Sequence, residues 1–522
     1  MSAYDAVIIG AGHNGLACAA HLAKRGWRVG VFEGAARPGG AVKTLELTAP
    51  GFRHDWAAMN LSLFAGSPFN KAYGAELSAH GLAFSPVSDC FATAFPDGRW
   101  LGVSNDLETT TARIAAFSER DAATWRTLAA DFPARAATLF GILGSPMKKR
   151  AIARNLFNTL RGQGFAGSRD LLRFLLQSPR AWLDETFESP AVKAMLGAWG
   201  MHLDFAPDIA GGALFPYLEG MANQSFGMAL GQGGAGGMIE ALAALVKAHG
   251  GTIECNARVE AVETSGSKAT GIRLADGRRI TASRAVIGGI APRALQTLLP
   301  AGTGDTGFDR RMRDFRHAPG TMMIHLALDD LPAWPDAALR RFAYVHLAPS
   351  LDAMALAYAQ AQAGLLPAEP VVVVGQPTAV DPSRAPQGKH VLWLQVRVVP
   401  AAIQGDASNT TPSRDWTEAR EQYAEHVLSL VERYAPGLRE KIIARRVVSP
   451  LDLETENPNL VGGDQICGSH HLSQNFLFRP ATGFADWRTP VPNLFLTGAA
   501  TWPGAGVGAG SGFMLAQQLA GG

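Results

Sequence analysis

Six residues near the start of the chain, Gly10-Ala11-Gly12-His13-Asn14-Gly15, have GxGxxG spacing between an apolar run and a helix-forming stretch. That spacing serves a dinucleotide. The first glycine permits a tight turn, the second lets backbone approach a pyrophosphate, and Gly15 lets helix and sheet pack closely. His13 and Asn14 would open the helix, where free amides and the positive end of the helix dipole hold phosphate charge. Glu33 ends the next apolar run, where its carboxylate can accept both ribose hydroxyls and would repel a 2′-phosphate. Flavin and nicotinamide dinucleotides both fit these features. Arg37-Pro38-Gly39-Gly40 separates them: arginine supplies rigid donors for phosphate oxygens, and the two glycines let a flavin sit beside the backbone.

These residues need a strand–helix–strand frame. Apolar runs at 4–9 and 28–32 predict two strands, with a helix at 14–25 stopping before Gly26. From about 106 to 210 the pattern is helical, with interruptions expected at 162–167, Pro179 and Pro190. A return to the nucleotide-binding layer is expected at 233–237, followed by a helix at 238–249 and a strand at 251–256. Asp276-Gly277 joins extended runs at 270–274 and 279–281, a hairpin signal. Segments 371–374 and 391–399 read as strands buried in a sheet, 418–434 as a helix, 493–496 as a strand and 513–519 as a terminal helix.

Composition narrows the class. The 522 residues carry 47 basic and 45 acidic side chains, a formal charge of +2, too balanced for a nucleic-acid footprint. Apolar residues are 47% and charged ones 18%, as in a deep-cored globular protein. Cys18, Cys90, Cys255 and Cys467 are scattered, without a redox CxxC or a metal knuckle, and the 13 histidines include no HExxH, so no metal is expected. GxSxG and Walker sequences are missing, which argues against serine hydrolase and phosphoryl-transfer chemistry. Neither a basic leader nor an 18-residue apolar run is seen, so a cytoplasmic protein is expected.

The GxGxxG, the acidic strand end and the Arg-x-Gly-Gly turn, in this order, resemble the N-terminus of the flavin-dependent amine oxidase and phytoene desaturase superfamily. The C-terminal part resembles it further: Arg479-Pro480, then 489–499 ending in Thr497-Gly498-Ala499, then the glycine-rich 503–512. The resemblance covers most of the chain and is weakest between 108 and 220. It implies FAD as cofactor, with Arg37, Gly39 and Gly40 against the pyrophosphate, Val259 against adenine through its backbone, and Gly498, Ala499, Gly506 and Val507 around the ribityl chain and flavin ring. Two departures stand out. Residues 286–292 replace the Asn-Ala-Asp-Pro ending of carotenoid desaturases, and Trp502 replaces the histidine of a Thr-His-Pro segment.

A flavin needs mainly orientation from its protein. His470 and His471 precede Arg479-Pro480, and either would relay a proton; the alternative is a hydrogen-bonded structural histidine. Trp502 would wall an apolar pocket, or else pack in the core. The expected fold is α/β, a Rossmann-like FAD-binding domain with a discontinuous α+β substrate domain. Segments 1–105, 231–311 and 444–522 would build the former, and 106–230 and 312–443 the latter. The implied activity is removal of hydride from a largely apolar or lipid-like substrate, with oxygen or a quinone as electron acceptor and a homo-oligomer as a possible assembly. Amine oxidation, isomerisation and a noncatalytic flavin-stabilised scaffold are the alternatives. Finally, Ile152, Leu156, Phe157 and Leu160 recur at helical spacing beside Lys148, Lys149, Arg150, Arg154 and Arg161. The expectation is a helix packing its apolar side on the core with a solvated basic face, against peripheral contact with an anionic membrane.

Overall fold

The computed structural model describes residues 3–521. Strand β1 (Ala3–Ile9), helix α1 (His13–Lys24) and strand β2 (Val29–Phe32) form the expected βαβ unit. All four residues of β2 are buried, as a parallel strand covered on both faces requires. β2 pairs in parallel with Thr252–Glu254, and β1 with the distal part of Arg279–Gly288, which also pairs with Leu494–Leu496. The start of Arg279–Gly288 runs antiparallel to Lys268–Leu274 around the Asp276-Gly277 turn, and Val259–Ser265 completes this seven-stranded sheet. Side chains of α1, Gly236–Ala248 and Gly510–Ala520 share one apolar core against it. Gly512 sits at the contact between the last helix and α1, where a Cβ would collide with the Asn14 carbonyl oxygen. The two ends of the chain therefore meet at the glycine-rich helix starts.

A second sheet runs in the order Ile442–Val448, Gly320–Leu328, His390–Val399, Val371–Gly375, Tyr344–Leu347, Asp89–Ala94 and Trp100–Ser104. Its pairs are antiparallel except for Tyr344–Leu347 with Asp89–Ala94. Side chains alternate across its plane. Ile324, Leu326, Leu392, Leu394, Val396, Val372 and Val374 form one face and pack on helix Trp416–Glu432. The opposite face carries Met323, His325, Tyr344, His346, Trp393, Gln395 and Arg397, by the pairings His325 with Trp393 and Met323 with Gln395.

Three expectations change. The boundaries at 105 and 443 do not hold, because strands Asp89–Ala94, Trp100–Ser104 and Ile442–Val448 belong to the second sheet. The helical insertion contains Lys149–Leu176 as one kinked element, with a non-helical Gly164 (φ 67°) in place of a broad break, while Pro179 and Pro190 open helices at their first positions. Lastly, Leu156, Phe157 and Leu160 are 67%, 61% and 49% exposed, so the apolar side of this helix does not pack on the core.

Candidate functional site

The GxGxxG loop is built by backbone contact. Gly10 has φ 90°, a left-handed conformation that lets the chain turn out of β1, and a Cβ on Gly15 would stand 2.6 Å from the Gly10 carbonyl oxygen. The Arg37 turn lies on this loop: the Gly39 amide donates to the Ala11 carbonyl at 3.0 Å, and a Cβ on Gly40 would come within 3.5 Å of the Gly12 Cα. Arg37 itself is exposed. Glu33 accepts from the Ala11 amide at 2.7 Å through Oε2 and from the Ala35 amide at 2.9 Å through Oε1. Each oxygen retains a lone pair for a ribose hydroxyl. Val259 opens the strand just beyond Ala257, whose amide donates to the Glu33 carbonyl at 2.8 Å.

These residues fit a dinucleotide. No side chain caps α1, although Asn14 and Gly15 in its first turn are buried. Orphan amides in such a place need an acceptor, which a pyrophosphate provides. A Cβ on Gly12 would meet nothing within 4 Å, so the cradle has room. Burial pulls the neighbouring His13 ring down to about 4, leaving it neutral. Its Nε2 lies 2.9 Å from Asn14 Nδ2, and Asn14 Oδ1 accepts from the Gly512 amide at 3.2 Å.

The second glycine-rich turn, 498–509, is held by buried polar groups. Arg479 donates to the Ala499 carbonyl at 2.7 Å and to the Ser469 carbonyl at 2.9 Å; burial lowers its guanidinium to about 10, still cationic at neutral pH. Ser511 Oγ lies 2.6 Å from Thr501 Oγ1 and 3.0 Å from Thr497 Oγ1, and accepts from the Gly498 amide at 3.2 Å. A Cβ on Gly498 would meet nothing within 4 Å, whereas one on Gly506 would strike the Leu63 side chain. Gly498, Ala499 and Val507 are partly buried and Gly506 is exposed, so backbone remains open along this turn.

The three catalytic candidates occupy different settings. His470 is buried beside the turn, and its Nε2 accepts from the Ala505 amide at 2.9 Å. Burial and the adjacent Arg479 hold it well below the usual histidine range, so it is a neutral support of the turn. His471 points away from it: Nε2 donates to the Asp204 carbonyl at 2.8 Å and lies 3.2 Å from Asp204 Oδ2. Trp502 is fully buried against Phe476, with its indole donating to the Ser145 carbonyl at 2.8 Å. It takes the core-packing alternative.

Sequence reasoning did not single out the polar face of the second sheet. His346 and His202 bring their Nε2 atoms to 3.0 Å. Burial and the cationic Arg397 depress both rings, His346 to about 3, so one neutral ring donates and the other accepts. Arg397 itself donates to Gln395 Oε1 at 3.0 Å and to the His202 carbonyl. Trp199 packs edge-on to Phe91 and His346, and Tyr344 stacks on Trp393 at 5.9 Å. Met59, from the segment following the Arg37 turn, reaches this face: a Cβ on Gly375 would lie 2.9 Å from Trp393 and 3.1 Å from Met59 Cε. Glu219, on helix Leu214–Phe226, is desolvated enough to raise its carboxyl to about 7, and its charge adds to the burial that raises the Tyr344 phenol. Asn223 donates to Glu219 Oε2 at 3.3 Å, and Oε1 has no protein partner among the described residues. A separate buried hub joins the two domains. Arg384 donates to Asp55 at 2.6 Å and to the Gly231 carbonyl at 3.0 Å, while Asp55 accepts from the Ala235 amide at 2.8 Å. The alternation of Trp393, Gln395 and Arg397 with Leu392, Leu394 and Val396 was a readable signal of two unlike faces. The histidines and Glu219 had none, because only tertiary structure collects them.

The model of the flavin containing amine oxidoreductase family matches residues 15–510, from the last glycine of the first glycine-rich loop through the second glycine-rich turn. The chain belongs to that family. It is an FAD-dependent oxidoreductase, with the Rossmann-like domain as its cofactor-binding half. The rat (Rattus norvegicus) pyridine nucleotide-disulfide oxidoreductase domain-containing protein 2 is 29% identical over 543 residues, covering 97% of this chain and 91% of that protein. The neurosporene-forming phytoene desaturase of Cereibacter sphaeroides is 25% identical over 515 residues, covering 96% and 91%. An oxidoreductase from Methanosarcina mazei has the same fold, with a TM-score of 0.64 at 19% identity over 98% of this chain and 99% of that one. FAD would be held by the Gly10–Gly15 loop, Glu33, the Arg37 turn and the 498–509 turn.

Proposed function

We propose that this oxidoreductase is a dehydrogenase that removes hydride from a C–H bond of a largely apolar substrate, with oxygen or a quinone taking the electrons. The observation carrying this reading is the aromatic lining of the interior face of the second sheet. Phe91, Trp199, Tyr344, Trp393, Met59 and Met323 dominate it, and its histidines are kept neutral. Such a surface favours carbon over charge, because an uncompensated ion would be costly to desolvate there. The phytoene desaturase name of a relative points the same way.

The flavin, when bound, supplies the hydride acceptor. The chain's residues then have three tasks. Trp199, Tyr344 and Trp393 orient an apolar skeleton and exclude water. Arg397 and the neutral His202–His346 pair fix the polar end of this face. Glu219 accepts, at Oε1, the proton released from the carbon next to the oxidised one, so that loss of hydride and proton leaves a C=C bond. A carboxyl raised to about 7 is near the pH at which a general base works best. The test is anaerobic mixing of FAD-loaded protein with separate panels of terpenoid hydrocarbons, lipids and amines while flavin absorbance is followed. Bleaching by an apolar hydrocarbon or lipid, with an unsaturated product by mass spectrometry, is expected. Bleaching by amines alone would overturn the reading in favour of amine oxidation.

A further inference from the structure

Helix Lys149–Leu176 leaves its middle unpartnered. Its N-terminal end is tied to the body through Ser145, whose carbonyl accepts from Trp502, and through Ala151, which is buried. Its C-terminal end returns at Phe174, which packs edge-on to Tyr217 at 5.5 Å and Trp182 at 6.0 Å. Between these anchors Leu156, Phe157, Leu160, Phe165 and Leu172 are 67%, 61%, 49%, 79% and 58% exposed. A soluble surface seldom concentrates large apolar side chains this way without a partner.

Helical geometry orders the first half of this element. At about 100° per residue, Leu160 lies roughly 180° around the axis from the buried Ala151, with Ile152 and Leu156 on its own side. The apolar stripe thus points directly away from the body. Arg150, Arg154 and Arg161 fall about a quarter turn from Leu160, along one border of the stripe. Together with Lys148 and Lys149, they have no acidic partner in any ion pair among the described residues. Most exposed arginines elsewhere in the insertion do, as Arg169 with Asp170 and Arg173 with Glu185. An apolar stripe bordered by unpaired cations complements an anionic lipid surface: acyl chains take the leucines and phenylalanine, and headgroup phosphates take the cations.

We propose that this helix docks the enzyme on an anionic membrane surface and opens a path for substrate from the lipid phase to the interior face of the second sheet. The helix ends against the substrate side of the insertion: Phe174 packs on Tyr217 of helix Leu214–Phe226, the helix that also carries Glu219. The delivery role rests on the apolar-substrate reading above, whereas docking is measurable without any substrate.

The experiment is sedimentation of FAD-loaded protein with vesicles of phosphatidylcholine alone or mixed with phosphatidylglycerol, at low and physiological salt. Wild type is compared with a Lys148→Gln, Lys149→Gln, Arg150→Gln variant and a Leu156→Asn, Phe157→Asn, Leu160→Asn variant. Wild type is expected to sediment with anionic vesicles and to weaken as salt screens the charges. The glutamine variant should bind at least about tenfold more weakly, and the asparagine variant should remain in the supernatant. All six side chains are largely exposed, so circular dichroism and flavin content should be unchanged in both. Wild type that binds neither vesicle, or both equally, overturns the proposal. So does wild type that self-associates in sedimentation velocity through the same leucines without binding lipid. Docking that fails while apolar compounds still bleach the flavin refutes only the membrane surface; docking without such bleaching refutes only the substrate reading.

Discussion

Replacing Gly12 by valine separates cofactor binding from folding. The backbone there is extended (φ −71°, ψ 166°), a conformation that β-branched residues adopt readily, and a Cβ would meet nothing within 4 Å. The fold without cofactor should therefore tolerate valine, with a stability change within about 0.5 kcal/mol. The same open space is where a pyrophosphate must approach the amides of α1. Losing two charge-assisted hydrogen bonds of about 1.5–3 kcal/mol each would weaken FAD by about 3–6 kcal/mol, or roughly 10²- to 10⁴-fold. Gly15→Ala is the contrasting control: its Cβ would lie 2.6 Å from the Gly10 carbonyl oxygen, a backbone clash expected to cost about 1–3 kcal/mol even without cofactor. The assays are flavin absorbance of the purified variants, FAD titration of the apoprotein, and urea unfolding of the apo forms. A Gly12→Val protein that retains stoichiometric FAD would refute the placement of the pyrophosphate. One whose apo form is as destabilised as Gly15→Ala would refute the claim that the site is an open cradle.

His470→Ala should leave the Ala505 amide without its acceptor and open space beside Gly504, costing about 2–4 kcal/mol of stability and loosening FAD. Since the ring is a neutral support, the hydride-transfer rate of the remaining flavin-loaded fraction should change little; loss of that rate at normal FAD affinity, in rapid-mixing experiments, would restore His470 as a proton relay. For Glu219, the folded-state carboxyl near 7 lies above the ordinary 4.5, so the folded protein holds a proton that the unfolded chain releases between those values. Its contribution is fully present below about pH 4.5 and is lost as pH rises through 7, a swing of roughly 3 kcal/mol. Glu219→Gln should therefore gain stability relative to wild type from pH 4.5 to 8, measured as paired urea midpoints, and should abolish the alkaline-favoured limb of the desaturation rate. A constant stability difference across that window would refute the burial of this carboxyl.

The cofactor half was legible because its signals are local. GxGxxG, Glu33 and the Arg37 turn act within 40 residues, and their backbone contacts follow from where glycine is placed. The C-terminal turn was also readable, but not its supports: Arg479, Ser511 and His470 meet it through contacts that spacing does not encode. In sequence Trp502 stays open between pocket wall and core, because an indole serves both equally well, and its full burial decides for the core. The domain boundary at 105 failed for a similar reason. Strands Asp89–Ala94 and Trp100–Ser104 follow the nucleotide-binding unit in sequence, yet they pair with each other and the former with Tyr344–Leu347, about 250 residues later. Exposure of the 149–176 helix was hidden as well, since periodicity identifies an apolar stripe without saying what covers it.

This division bears on how the chemistry is partitioned. Glycine and backbone amides on rigid elements would hold the cofactor, which leaves that half little freedom to vary without losing the dinucleotide. The half proposed to face the substrate is built from side chains of a sheet whose opposite face is closed by Trp416–Glu432, and from the insertion helices. Substitutions at Trp199, Tyr344 or Trp393 can therefore reshape the interior face while the second sheet keeps its packing on the far side. Charge is the stricter constraint. Arg397 already depresses His202 and His346, so another cation on this face would lack compensation, whereas Glu219, its carboxyl raised to about 7, passes between carboxylate and neutral acid near neutral pH, as the proposed base must when it takes up a proton. A face with one buried cation, three neutral imidazoles (His202, His325 and His346) and one titrating acid is suited to oxidising a carbon skeleton that brings no charge of its own.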